Sequence, residues 1–116
     1  MNLIKAENRI VEKAQWGSLI WFASGKLGSG SMTVGQCILN PGCSNPRHTH
    51  PNCEEILYVL KGNIQHSFVD GKYVKMQEGD TITVPAGVPH NASNIGNSEA
   101  VLAISFSSPV RLTIGE

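Results

Sequence analysis

"PRHTHPNCEEILYVLKG", residues 46–62, holds two of the chain's four histidines, His48 and His50, separated by a single threonine. On a β-strand, residues i and i+2 point to the same face with Cα atoms roughly 6.5–7 Å apart. Two imidazoles so placed can converge on one ion at metal–nitrogen distances of about 2.0–2.1 Å. On a helix the same spacing turns them apart. Pro51 ends the strand, because it has no N–H to give the ladder. The chain turns through Asn52 and Cys53 and enters a new strand in "EEILYVL" (54–60). Alternation there puts Glu55, Leu57 and Val59 on one face and Glu54, Ile56, Tyr58 and Leu60 on the other. Only one glutamate of the pair shares a face with the histidines.

Outward from this stretch the punctuation is that of an all-β protein. Turn residues recur throughout, as "ASGKLGSGS" (23–31), Pro41-Gly42, Lys61-Gly62, Asp70-Gly71, Glu78-Gly79, Pro85 to Pro89 and Asn94 to Ser98. The segments between them are short and rich in Val, Ile, Thr and aromatics. Strands are expected near 8–13, 17–22, 32–39, 46–50, 54–60, 63–69, 72–76, 81–85, 90–93 and 99–107, with a last short one near 110–114. "VDGK" signals a hairpin, since Asp-Gly tolerates the positive φ angles of a type I′ turn. A two-residue loop at Lys61-Gly62 pairs Leu57 with His66 and places His66 on the Glu55 face, as a proton-handling residue beside the site. A two-residue loop at Asp70-Gly71 sets His66 opposite Lys75, and a partly exposed histidine is the expected state. No helix-length window carries apolar residues at a 3.6 spacing, and there is no repeat, low-complexity tract or linker. Residues 1–116 read as one domain, a sandwich or barrel whose closure removes exposed edges.

Lys+Arg and Asp+Glu stand at nine each, for a formal net charge of zero. With no basic stripe or charged tail, nucleic acid and anionic membranes are not expected as partners. No apolar run approaches the ~18 residues of a membrane span, and "MNLIKAENRIVEK" (1–13) is charged early, unlike a signal peptide. Cys37, Cys43 and Cys53 are odd in number without a CxxC spacing, and read as reduced thiols of a cytoplasmic protein.

Two spaced patterns frame the centre of the chain. Gly42, His48, His50, Glu55 and Gly62 read G-x5-H-x-H-x4-E-x6-G; Gly79, Pro85, Gly87, His90 and Asn94 read G-x5-P-x-G-x2-H-x3-N. These resemble the two motifs of the cupin superfamily at every signature position, and the 16 residues between them resemble the short spacer of small single-domain cupins. The resemblance implies an all-β double-stranded β-helix, or jelly-roll cupin barrel, holding one metal ion at His48, His50, Glu55 and His90. Three imidazoles and a carboxylate suit one divalent transition metal ion among Mn, Fe, Ni, Cu and Zn, and on an octahedral ion they leave positions open. The implied function is that of a metalloenzyme acting on a small oxygen-bearing substrate, by dioxygenation, isomerisation or epimerisation, or decarboxylation. The alternative is a non-catalytic protein that binds or senses a sugar or organic acid.

Resemblance to germin-type oxalate oxidases draws Asn45 in as a further active-site candidate. Their second asparagine falls at Gly35 here, which argues against oxalate oxidation. Cys37 reads as a small core hydrophobe and Cys53 as a thiol in a tight loop. Arg47 is expected to point away from the metal. Trp16, Trp21 and Phe22 are expected in the core or at a homodimer contact, since small cupins pair through their N-terminal strands and "WGSLIWF" (16–22) is apolar enough to be covered.

Overall fold

The computed structural model describes residues 1–116. It comprises β1 (Ile10–Ala14), β2 (Gly17–Ala23), β3 (Thr33–Leu39), β4 (His48–Thr49), β5 (Glu55–Lys61), β6 (Asn63–Ser67), β7 (Tyr73–Gln77), β8 (Thr81–Val84), β9 (Asn91–Asn94), β10 (Ala100–Phe106) and β11 (Ile114–Gly115). Helical structure is confined to three short 3-10 turns. The strands form antiparallel sheets in the orders β1-β2-β3-β10-β5-β8, β7-β6-β9 and β11-β4. This is the jelly-roll barrel that the cupin resemblance implied.

Period-two sequence becomes period-two burial. Along β3 and β10 every second residue is buried, and along β5 Glu55, Leu57 and Val59 face inward while Ile56, Tyr58 and Leu60 face out. β10 lies between β3 and β5, so Leu102 sits opposite Cys37 on one side and Val59 on the other. Ile64, Met76 and Ala92 of the smaller sheet join Leu57, Val59 and Leu102 of the larger one in a single core. The two sheets are thereby the walls of one interior.

The passage from β5 to β6 differs from the expected hairpin. β5 pairs with β10 and β8, whereas β6 pairs with β7 and β9. Lys61-Gly62 is therefore the crossing from one sheet to the other, so Leu57 does not face His66. Gly62 has φ +99°, and a Cβ there would lie 3.0 Å from the Ala100 Cα, so only glycine fits the crossing without strain. At the next turn Asp70 and Gly71 do adopt positive φ, as the sequence implied. The loop spans Val69–Gly71, however, one residue longer than expected, and this sets His66 opposite Val74 rather than Lys75.

The second motif closes on itself through its last residue. The buried Asn94 donates from Nδ2 to the carbonyls of Leu39 and Ser98, and its Oδ1 accepts from the Gly96 N–H. One side chain thus satisfies backbone groups of β3 and of the β9–β10 turn.

Gly62→Ala is expected to destabilise the fold by at least about 1 kcal/mol, from the positive φ together with crowding at Ala100. Urea unfolding monitored by tryptophan fluorescence measures it; an unchanged midpoint would mean that the crossing relaxes freely.

Candidate metal centre

Backbone pairing brings the two motifs together. The His48 N–H donates to the His90 carbonyl (3.1 Å) and the His90 N–H donates back to the His48 carbonyl (2.9 Å). Residues directly opposite in an antiparallel pair present their side chains on one face. His50, two residues on, shares that face, and its carbonyl accepts from the Gly87 N–H at 3.0 Å. Glu55, first residue of β5, approaches from the facing sheet. One donor atom from each of His48, His50, Glu55 and His90 lies within 4.8 Å of all the others. His50, Glu55 and His90 are buried and His48 is half-buried. The four residues that the resemblance implied as ligands are brought together.

The ring tautomers follow from the neighbours. Nδ1 lies 2.7 Å from the Pro46 carbonyl in His48, 2.8 Å from the Leu112 carbonyl in His50, and 2.8 Å from the Val88 carbonyl in His90. A carbonyl oxygen only accepts, so each Nδ1 carries the proton and each neutral ring keeps its lone pair on Nε2. In His50 and His90 that Nε2 points at Glu55 Oε1, at 3.4 and 2.9 Å. A ring lone pair and a carboxylate oxygen facing each other in a buried place need a cation between them, a proton or a metal ion. The donor set thus fits a divalent ion.

The electrostatics agree. Burial alone would raise the Glu55 pKa, but hydrogen bonds and charge from His50 and His90 outweigh it and hold the carboxyl well below its usual range. For His90, burial opposes the imidazolium, yet the Glu55 carboxylate and the Val88 carbonyl win and the pKa rises. His48, buried without such a partner on Nε2, is pushed down to about 4. It is a neutral donor at neutral pH.

The four donors line a cavity of about 280 Å³ together with apolar side chains that include Leu19, Trp21, Leu102, Ile104 and Phe106, the last with its ring 5.0 Å from that of His50. Residues 107–116 contribute Arg111, Thr113 and Gly115 to its lining. β11 pairs with β4, Glu116 pairs with Arg47 at 2.6 Å, and Asn52 holds the return in place. The Asn52 side chain donates to the Val110 carbonyl (2.7 Å) and accepts from the Leu112 N–H (3.0 Å). Arg111 lays its guanidinium over Trp21, 4.3 Å from the ring centroid.

Other candidates fall into place around this centre. His66, expected half-exposed, is 1% exposed and stacks on His90 with centroids 5.5 Å apart and planes 14° from parallel. The shift from Lys75 to Val74 in register turns it inward. It lines the cavity, and neither ring nitrogen has a protein partner. The Asn45 side-chain oxygen accepts from the Ala92 N–H at 2.8 Å, so its amide anchors β9 just beyond His90. Arg47 points to Glu116, Ser67 and Phe68. Cys37 and Cys53 are buried in the core outside the donor group, and no cysteine is bridged. Trp21 is a core residue, as expected, but it and Trp16 also line the cavity. The part played by Arg111 and Leu112 had no signal in the sequence: a backbone carbonyl that orients a ring 62 residues away belongs to any residue type.

The cupin domain family matches the chain over residues 35–106. A germin-like protein of Morus alba is 40% identical over 75 residues, covering 61% of this chain and 36% of that protein. An auxin-binding protein of Prunus persica is 41% identical over 75 residues, again 61% and 36%. The chain spans about a third of the length of these curated relatives. Among solved structures, the oxalate decarboxylase of Lactobacillus farciminis, in a formate complex, superposes with a TM-score of 0.85 at 19% identity, over 94% of this chain and 34% of that one. At that identity the likeness concerns the fold.

Asn52→Ala releases three hydrogen bonds to the returning segment, at Ser108, Val110 and Leu112. It is expected to weaken metal affinity about 10–100-fold, as loss of an outer partner of a ligating histidine does. Competition with a chromogenic chelator measures it; a change below about twofold would mean that the Leu112 carbonyl does not orient the ring.

Proposed function

This chain belongs to the cupin domain family, and we propose that it is a metal-dependent enzyme acting on a small oxygen-bearing substrate. The observation that carries the reading is the convergence of three imidazole Nε2 atoms and one carboxylate oxygen, with every Nδ1 committed to a carbonyl. His48, His50, Glu55 and His90 would hold one divalent ion among Mn, Fe, Ni, Cu and Zn. Such an ion supplies Lewis acidity toward a bound oxygen, and redox chemistry where the metal allows it.

The chain's own groups do the rest. Carbonyls of Pro46, Val88 and Leu112 fix the ring orientations before any ligand arrives. The apolar wall excludes water and lowers the local dielectric, which strengthens each polar contact made inside. His66 offers one N–H and one lone pair to a ligand at the centre, and burial, then the charge of His90, keeps it neutral by lowering its pKa to about 4. This polar group favours turnover. A second reading, binding without turnover, draws on the apolar wall and on the Prunus persica relative named for auxin binding.

Protein purified without affinity tag or chelator is expected to carry about one equivalent of metal by mass spectrometry, with none in the His48→Ala, His50→Ala double variant. Wild-type protein without metal above that control, even after reconstitution, would overturn the metal reading. Fe or Cu would direct assays to oxygen uptake, and Mn, Ni or Zn to isomerisation and decarboxylation.

His66 gives an opposed pair of expectations. His66→Phe removes two buried unpaired nitrogens, each costing about 1–3 kcal/mol, so thermal stability should rise or hold. Affinity of the cobalt-substituted protein for acetohydroxamate, an oxygen chelator bearing an N–H, should fall about tenfold, the worth of ~1.4 kcal/mol. Unchanged affinity would remove His66 from the site.

A further inference from the structure

The cavity contains a cation that the metal chemistry leaves unused. Arg111 follows Pro109-Val110 on the return strand and is half-buried. Its guanidinium stacks over Trp21 at 4.3 Å and Phe106 at 5.5 Å, both of which line the cavity. Thr113 takes one N–H at 2.7 Å, and no carboxylate forms a salt bridge with it. Stacking fixes the plane of the fork and leaves its edge free, the arrangement in which arginine reads a carboxylate through two parallel bonds.

The charge count of the cavity points the same way. Three neutral imidazoles and one carboxylate leave a divalent ion one positive charge in excess, and Arg111 adds a second; Arg47, which also lines the cavity, is paired with Glu116. Glu55 already faces His50 and His90. Glu12, whose charge also reaches Arg111, lies on β1, outside the residues that line this cavity. The lining of the cavity carries no further acidic side chain. A neutral ligand would leave two cations facing each other across an apolar space, where their repulsion is poorly screened. An anionic ligand removes that penalty.

Shape and lining then decide what the rest of the ligand is. The space of about 280 Å³ is lined, besides the donors, by Leu19, Trp21, Leu102, Ile104 and Phe106. A dianion with no hydrocarbon body, such as oxalate, would lay charge against these side chains and gain nothing from them. An alkyl or aryl body of several carbons would bury its surface there, at about 0.8 kcal/mol per CH2.

We propose that the ligand of this site is a small organic acid with an apolar body, and that Arg111 is the residue that selects its carboxylate. The proposal rests on the metal reading only for the second positive charge; Arg111 and the apolar wall stand without it.

Hexanoate, hexanamide and oxalate separate the contributions, with binding followed by calorimetry on zinc-loaded protein and again after chelator dialysis. Hexanoate should bind at least tenfold more tightly than hexanamide, which has the same body without the charge, and more tightly than oxalate. Arg111→Met keeps the stack on Trp21 and should erase the preference of acid over amide, while zinc content stays at the wild-type level. Arg111→Lys, which keeps the charge and loses the fork, should restore part of it and guards against a merely unfolded variant. Equal binding of acid and amide, an unchanged preference in Arg111→Met, or oxalate as the tightest of the three would overturn the proposal. A preference that depends on Arg111 in protein unable to hold zinc would support it and sink the metal reading instead.

Discussion

A carboxylate 5% exposed inside a barrel is the constraint around which this molecule is organised. An ionised Glu55 in an apolar interior would be expensive, and a lone carboxyl there would take up a proton instead. It stays charged where a cation, a proton or a metal ion, lies between it and the two imidazole Nε2 atoms that face it. That in turn requires β5 to keep its register, since a slip of one residue would bury Glu54 and expose Leu57 and Val59. The hydrophobic alternation of β5 and the position of the charge are therefore one decision. Packing of Leu57 against the core holds the carboxylate in place.

The histidines arrive by two kinds of bond, local and long-range. His48 and His90 each bond through Nδ1 to the carbonyl two residues back, at Pro46 and Val88, with a proline at or beside that carbonyl to stiffen the turn. These orientations are written in the local sequence and survive small shifts of the barrel. His50 depends instead on Leu112, and so on the whole path by which the chain crosses the large sheet and returns to the site. The reciprocal backbone pair between His48 and His90 locks the two local units to each other. A site built this way needs few contacts between side chains, because main-chain geometry does most of the positioning.

What the sequence made legible follows from these bond types. Alternation along 54–60 and the i, i+2 histidines have a direct geometric meaning, so the inward face and the His48–His50 pair could be read before any fold was known, whereas His90 enters through the resemblance of the second motif. Lys61-Gly62 could not, because a glycine at positive φ serves a hairpin and a sheet crossing equally well; only the contact with Ala100 distinguishes them. The burial of His66 hung on a one-residue difference in loop length at Val69–Gly71, and period-two structure amplifies such a difference into a change of face. The tryptophans read as core or dimer-contact residues, and the cavity they line was invisible, because a core and a chamber are lined by the same residue types.

The chamber also shows why charge and apolar surface are placed side by side. In water, a cation such as Arg111 attracts an anion only weakly, since at 4 Å a unit charge pair is worth about 1 kcal/mol. Set against Trp21 and Phe106, the same cation has lost part of its solvent shell; burial presses its pKa down while Glu12 and Glu55 push it back up. The desolvation that makes Arg111 costly to hold is what makes a matching anion worth binding. His66 repeats the logic with hydrogen bonds, since its two nitrogens are buried and unpaired against the stack with His90. Both groups are poor choices for stability alone, and both face the cavity at which the four donors converge. Local compromises of the packing that point to one place are what distinguish a site from a flaw in the core.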